Sequence, residues 1–132
     1  MQLRKGRILY IEDHVDTREL VTLVLRQSNY EVTVRGTLTD GLTVARDGGF
    51  DLFLLDSWLP DGSGLEFCKK IRQFDASTPI LFYSAAAYET DRHEAIEAGA
   101  QGYLVKPTQN SELCELISVL IDEFRQRSLK VS

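Results

Sequence analysis

Five short apolar runs punctuate the chain: RILYI (7–11), VTV (32–34), FDLFLL (50–55), PILFYS (79–84) and GYLV (102–105). Each gap between them holds about one helix and two short loops. Regular alternation of strand and helix predicts a parallel sheet with helical crossovers, an α/β fold. The run at 31–35 differs from the others. Glu31, Thr33 and Arg35 alternate with Val32 and Val34, so one face is wet and the strand is expected at a sheet edge.

The helices between the runs carry start and stop signals. Asp16 with Glu19, Thr37 with Asp40, and Ser63 with Glu66 each fit a capping box. Gly48-Gly49 closes the second helix. The last helix shows Leu113, Leu116, Ile117, Leu120, Ile121 and Phe124 at steps of three and four, ending in Arg125-Gln126-Arg127. The fourth, over Tyr88 to Ala98, has the thinnest apolar face: Ala95, Ile96 and Ala98. One domain over 1–127 is expected, with 128–132 as a frayed C-terminal tail. The sequence shows no internal repeat or low-complexity segment, and no second domain is expected within it.

Composition narrows the partners. A net charge of −5 argues against direct nucleic acid binding. Cys68 and Cys114 have no CxxC spacing and read as small buried thiols rather than a disulfide or a metal site. No run is long enough to span a membrane. The apolar stretch after the basic N-terminus is only about five residues, shorter than a signal-peptide core of about 7–15. A cytoplasmic location is expected.

The residues at the ends of the runs carry the chemistry. The first run ends in Glu12-Asp13, the third in Asp56, the fourth in Ser84 and the fifth in Lys106-Pro107. In a parallel sheet these ends share one rim, and ligands bind there where the winding reverses. With strand 1 central, that point lies between strands 1 and 3 and holds Glu12, Asp13 and Asp56. Three crowded carboxylates either rise in pKa or take a cation. Magnesium suits them, being hard and oxygen-ligated; zinc is disfavoured without His or Cys. Lys106 adds a positive charge and Ser84 a hydroxyl. Together these groups suit a phosphoryl group arriving in line at Asp56 as nucleophile.

The ordered set, with DSWLPDGSGLE, TPILFYSA and GAQGYLVKP around it, resembles the receiver domain of two-component response regulators over roughly residues 5 to 125. The resemblance implies a flavodoxin-like three-layer sandwich: a five-stranded parallel sheet, order 2-1-3-4-5, with five helices. It implies that Asp56 is the phosphoacceptor, charged by a sensor histidine kinase or a histidine phosphotransfer protein. Asp13 and Asp56 would ligate Mg2+, with Glu12 acting through water and the backbone carbonyl of Trp58 as a further ligand. Ser84 and Lys106 would hold the phosphoryl oxygens, and Tyr103 would couple its rotamer to Ser84. The Lys106-Pro107 bond would be cis. The output surface would be helix 4, strand 5 and helix 5, around Tyr88, Ala95, Tyr103 and Glu112, facing a downstream protein partner or output domain. Ser84 stands where the family also uses Thr. Trp58 stands at a position that helps govern water attack on the acyl phosphate, and its indole is expected half exposed at the crevice mouth.

Blander readings exist for each residue. Glu12-Asp13 alone would be a solvated loop, Ser84 a turn residue and Lys106 a surface lysine; the constellation raises them. His14 and His93 read as exposed, His14 adjoining the acid pair within reach of phosphate or kinase. Asp61-Gly62 reads as a turn, and Gly64 as the residue that lets its loop pack closely on helix 3. A phosphohydrolase of the haloacid-dehalogenase kind would want a second acid two residues beyond the nucleophile, where Trp58 stands. A phosphorylation-independent receiver-like interaction module would not need the complete set.

Overall fold

The computed structural model describes residues 5–130. The sequence reading assigned residues 1–4 to the domain and 131–132 to its tail; both stretches lie outside the described residues. The expected alternation is present: β1 (Gly6–Ile11), α1 (Val15–Gln27), β2 (Tyr30–Arg35), α2 (Leu38–Arg46), β3 (Leu52–Leu55), α3 (Gly64–Ile71), β4 (Ile80–Ser84), α4 (Glu89–Glu97), β5 (Gly102–Val105) and α5 (Asn110–Lys130). The five strands form one parallel sheet in the order β2-β1-β3-β4-β5. Ile11 is level with Leu55, and Leu55 with Phe82. The ends of β1, β3 and β4 therefore meet on one rim.

Period-two alternation sends strand residues to opposite faces. Ile8, Tyr10, Leu52, Leu54, Leu81 and Tyr83 pack with Val21 and Leu25 of α1 and Leu113, Ile117, Leu120 and Ile121 of α5. Leu9, Ile11, Phe53, Leu55, Ile80 and Phe82 pack with Leu38, Leu42 and Ala45 of α2, Phe67, Cys68 and Ile71 of α3, and Ala95 of α4. Each strand of the inner sheet is covered twice, which is why its sequence is a continuous apolar run. Burial pushes the Cys68 thiol up to about 12, and Cys114 is half-buried with its Sγ 3.4 Å from Ser28 Oγ. No helix of the described residues is long and apolar enough to cross a membrane.

Local departures from the sequence reading have physical causes. The cap of α1 is His14, not Asp16. His14 is extended, and its Nδ1 accepts from the Thr17 amide at 3.3 Å. The helix therefore starts one residue before Asp16, which sits in the first turn, where a carboxylate meets the positive helix end. Thr37 and Ser63 cap α2 and α3 as expected, accepting from the amides of Asp40 and Glu66. Gly48 and Gly49 follow α2 with φ of 79° and 85°, which glycine adopts without a Cβ clash. On α4 only Ala95 is buried; Ile96 is 47% exposed. The two are adjacent, about 100° apart on the helix, and a helix touching the sheet along one narrow line cannot bury both. The last helix does not fray at 128. It continues to Lys130.

Candidate phosphoryl-acceptor site

Glu12 stands one residue past β1 and is only 1% exposed. Its amide donates to the Arg35 carbonyl at 3.0 Å, extending the sheet ladder. Its carbonyl accepts from Arg18 Nη1 at 3.1 Å. Its Oε1 accepts from Lys106 Nζ at 2.5 Å and its Oε2 from the His14 amide at 3.3 Å. Each polar group of Glu12 thus has a partner, as burial requires. Burial raises the pKa of its carboxyl, against the pull of Lys106.

Asp56 follows β3 and is continuous with the ladder, its amide donating to the Ile11 carbonyl at 3.3 Å. Its Oδ1 accepts from the Ser57 amide at 2.7 Å, and its Oδ2 lies 3.6 Å from Lys106 Nζ. The Lys106 ammonium therefore sits between two carboxylates. Asp13 is exposed beside them. One oxygen each from Glu12, Asp13 and Asp56 lies within 4.8 Å of the others. An all-carboxylate set of this size, with no histidine or thiol, fits a hard divalent cation.

A second set of groups lies on the opposite face of the sheet. Ser84 is buried at the end of β4, and its Oγ accepts from the Ala86 amide at 3.1 Å. The Tyr103 hydroxyl donates to the Ala86 carbonyl at 2.7 Å. Ser84 and Tyr103 thus hold the two sides of one residue, Ala86, in the loop before α4. The Tyr103 ring stacks on Phe82 with centroids 5.6 Å apart, and its hydroxyl lies 3.4 Å from Ser57 Oγ. Arg92 of α4 donates to the Tyr103 carbonyl at 3.2 Å. The Lys106-Pro107 peptide is cis.

The loop after Asp56 folds into a short antiparallel ribbon, Trp58–Leu59 against Gly62–Ser63, which the sequence reading took only as a turn. Trp58 is 71% exposed, more than the half exposure expected, while its ribbon neighbour Leu59 is buried. A Cβ on Gly64 would stand 2.6 Å from the Asp56 carbonyl and 2.6 Å from the Phe82 ring, so only glycine lets this loop close under α3. Asp61 does more than turn the chain. Its carboxylate accepts from the amides of Leu38 and Thr39 at 2.7 and 3.0 Å and from the Thr39 hydroxyl at 2.7 Å, so it caps α2 from a distance. Those bonds hold its carboxyl at about 2.

Other expectations divide. Tyr88 and Glu112 are at the surface, but Ala95 and Tyr103 are buried against the sheet, so those two cannot themselves touch a partner in this state. His93 is exposed and pairs with Glu97 at 2.9 Å. His14 is exposed but is occupied as a helix cap.

Known proteins share this architecture. The sequence model of the response regulator receiver domain matches residues 8–118. The uncharacterized transcriptional regulatory protein YkoG of Bacillus subtilis is 36% identical over 111 residues, 84% of this chain and 49% of that protein. Response regulator ArlR of Staphylococcus saprophyticus is 34% identical over 123 residues, 93% of this chain and 56% of that protein. A CheY-like receiver domain protein from Methanospirillum hungatei superposes with a TM-score of 0.88 at 27% identity, covering 96% of this chain and 99% of that one. The non-phosphorylated HemR receiver domain from Leptospira biflexa superposes at 0.81 with 31% identity, covering 87% and 93%. This chain belongs to the response regulator receiver domain family of two-component systems, with the flavodoxin-like fold. It spans about half the length of the curated relatives it matches.

Proposed function

We propose that Asp56 accepts a phosphoryl group from a sensor histidine kinase or a histidine phosphotransfer protein and that this controls a downstream protein partner or output domain. The observation that carries the reading is the Lys106 ammonium lodged between Glu12 and Asp56 at the crevice where the sheet reverses its winding. A carboxylate lone pair of Asp56 forms the new O–P bond as the N–P bond of the phosphohistidine breaks, and the imidazole leaves with that electron pair. The acceptor carboxylate is held by the Ser57 amide, so it is oriented before the donor arrives. Lys106 exchanges Glu12 for a phosphoryl oxygen. Ser84, whose oxygen accepts from Ala86, keeps its own proton to donate to another.

Asp13 and Asp56, with Glu12 through water and the Trp58 carbonyl, would hold Mg2+. When bound, that ion would neutralise charge on the phosphoryl oxygens. As Ser84 turns toward phosphate it lets go of the Ala86 amide. Tyr103 holds the carbonyl of the same residue, so the change passes to β5 and the start of α4. The surface of α4, β5 and α5 would thereby present a different face. The protein is a switch that promotes its own phosphorylation and dephosphorylation and turns over no separate substrate, in keeping with a cytoplasmic location.

Acetyl phosphate with magnesium should add one phosphoryl group at Asp56, read by mass spectrometry, and none once the magnesium is chelated. Equal labelling of Asp56→Asn, or labelling at another residue, sinks the assignment.

A further inference from the structure

We infer that Tyr83 is a positioning residue for the Lys106 ammonium. The role rests on the reading of Lys106 as the cation that meets the incoming phosphoryl group. Tyr83 is the penultimate residue of β4 and is buried on the α1/α5 face of the sheet. Lys106 Nζ lies over its ring, 5.5 Å from the centroid, inside the range where the ring quadrupole attracts a cation. The Lys106 side chain is largely buried, with an exposure of 17%, so water screens the attraction little. The Tyr83 hydroxyl lies 3.4 Å from Thr108 Oγ1, two residues beyond the lysine. The ring therefore meets the loop that carries Lys106 at two places.

The ring supplies what the carboxylates cannot. Glu12 and Asp56 both bind the ammonium through charge, and the bond to Glu12 has to be given up when phosphate arrives. A four-carbon stem freed from Glu12 has several rotamers open to it. The aromatic face holds the ammonium by a contact that neither protonation nor phosphorylation of the acids removes. It keeps Lys106 close to Asp56 during the exchange. A leucine here would keep an apolar side chain beside the stem, but would offer the charge nothing.

The test compares Tyr83→Leu with Tyr83→Phe, alone and in a Lys106→Met background. In the protein without phosphate, proton NMR should find the Lys106 Hε signal shifted upfield by the ring current. Phe should keep that shift and Leu should lose it. The rate of acyl phosphate formation from acetyl phosphate and magnesium should fall about three- to ten-fold in Tyr83→Leu, and Phe should recover most of the loss. With Lys106→Met in place, Tyr83→Leu should have no further effect. An Hε shift that survives Tyr83→Leu overturns the proposal. So does a rate loss that persists in the Lys106→Met background, because that loss would come from packing alone. If the wild-type protein takes no phosphate at Asp56, the proposed function fails, while the Hε shift still decides whether Tyr83 holds Lys106.

Discussion

The two faces of the sheet are built differently. One is covered by two helices of 13 and 21 residues, the other by three of nine, eight and nine. Along the strands, Glu12 and Asp56 continue the alternation of Tyr10 and Leu54, on the face of the long helices. Ser84 continues that of Ile80 and Phe82, and Tyr103 joins the same cluster, on the face of the short ones. The charged groups thus stand over α1 and α5. The hydroxyl and the aromatic that would respond to them stand over the side that contains α4, which buries only Ala95. Under the proposed function the site would hold charges still while another element moves, and that division suits it, since elements with few buried contacts open most readily.

Truncation should expose the difference most strongly. Ile117 of α5 is fully buried, so Ile117→Ala should lose about 2–5 kcal/mol of unfolding free energy. Ala95→Gly on α4 should lose about 1 kcal/mol, mostly helix propensity. Urea denaturation of both variants would decide; comparable losses would erase the distinction between the faces.

A second contrast is chemical. The short α2 is held at its start by Asp61, whose folded carboxyl lies at about 2 against an ordinary value of about 3.9. A depressed folded pKa contributes stability that is present above the unfolded value and lost as pH falls through the folded one. The gap in melting temperature between wild type and Asp61→Ala should be constant above about pH 5 and should close between about pH 4 and 2. A gap indifferent to pH would mean that the charge of Asp61 plays no part in the cap.

The smallest effect is expected on the stiff face. The Tyr10 hydroxyl is buried with no hydrogen-bond partner among the described residues, and burial, with Glu12 and Asp56 nearby, raises its pKa. Tyr10→Phe should therefore be neutral or stabilising, by no more than about 1 kcal/mol. A clear destabilisation in the same denaturation assay would show that the hydroxyl is satisfied after all.

What the sequence disclosed follows from the range of each interaction. Strand positions, the edge character of β2 and the rim of acids are written in local periodicity and in the spacing of run ends. Asp16 and Glu19 match a capping pattern, yet the chain already turns into α1 at His14, whose ring nitrogen accepts from the Thr17 amide. The adjacent Ala95 and Ile96 on a short helix do not say which one meets the sheet, and it is Ala95. Asp61 and Tyr83 were beyond reach for a different reason. A turn aspartate looks the same whether or not a helix 23 residues upstream offers it two amides. A tyrosine in an apolar run looks like core until the lysine from the neighbouring strand is seen above it.

The length of α5 has a mechanical consequence. The helix starts at the rim that bears Lys106, and by Arg125, which reaches Asp51 at 3.5 Å, it has arrived beside the start of β3. Residues 126–130 run past the sheet by about 7 Å, on a rod about 30 Å long. Such a rod is a lever. A tilt of about 5° at its Asn110 end would carry the far end through roughly 2–3 Å. A displacement that begins at the rim beside Lys106 would thus be delivered, enlarged, at the opposite pole of the molecule.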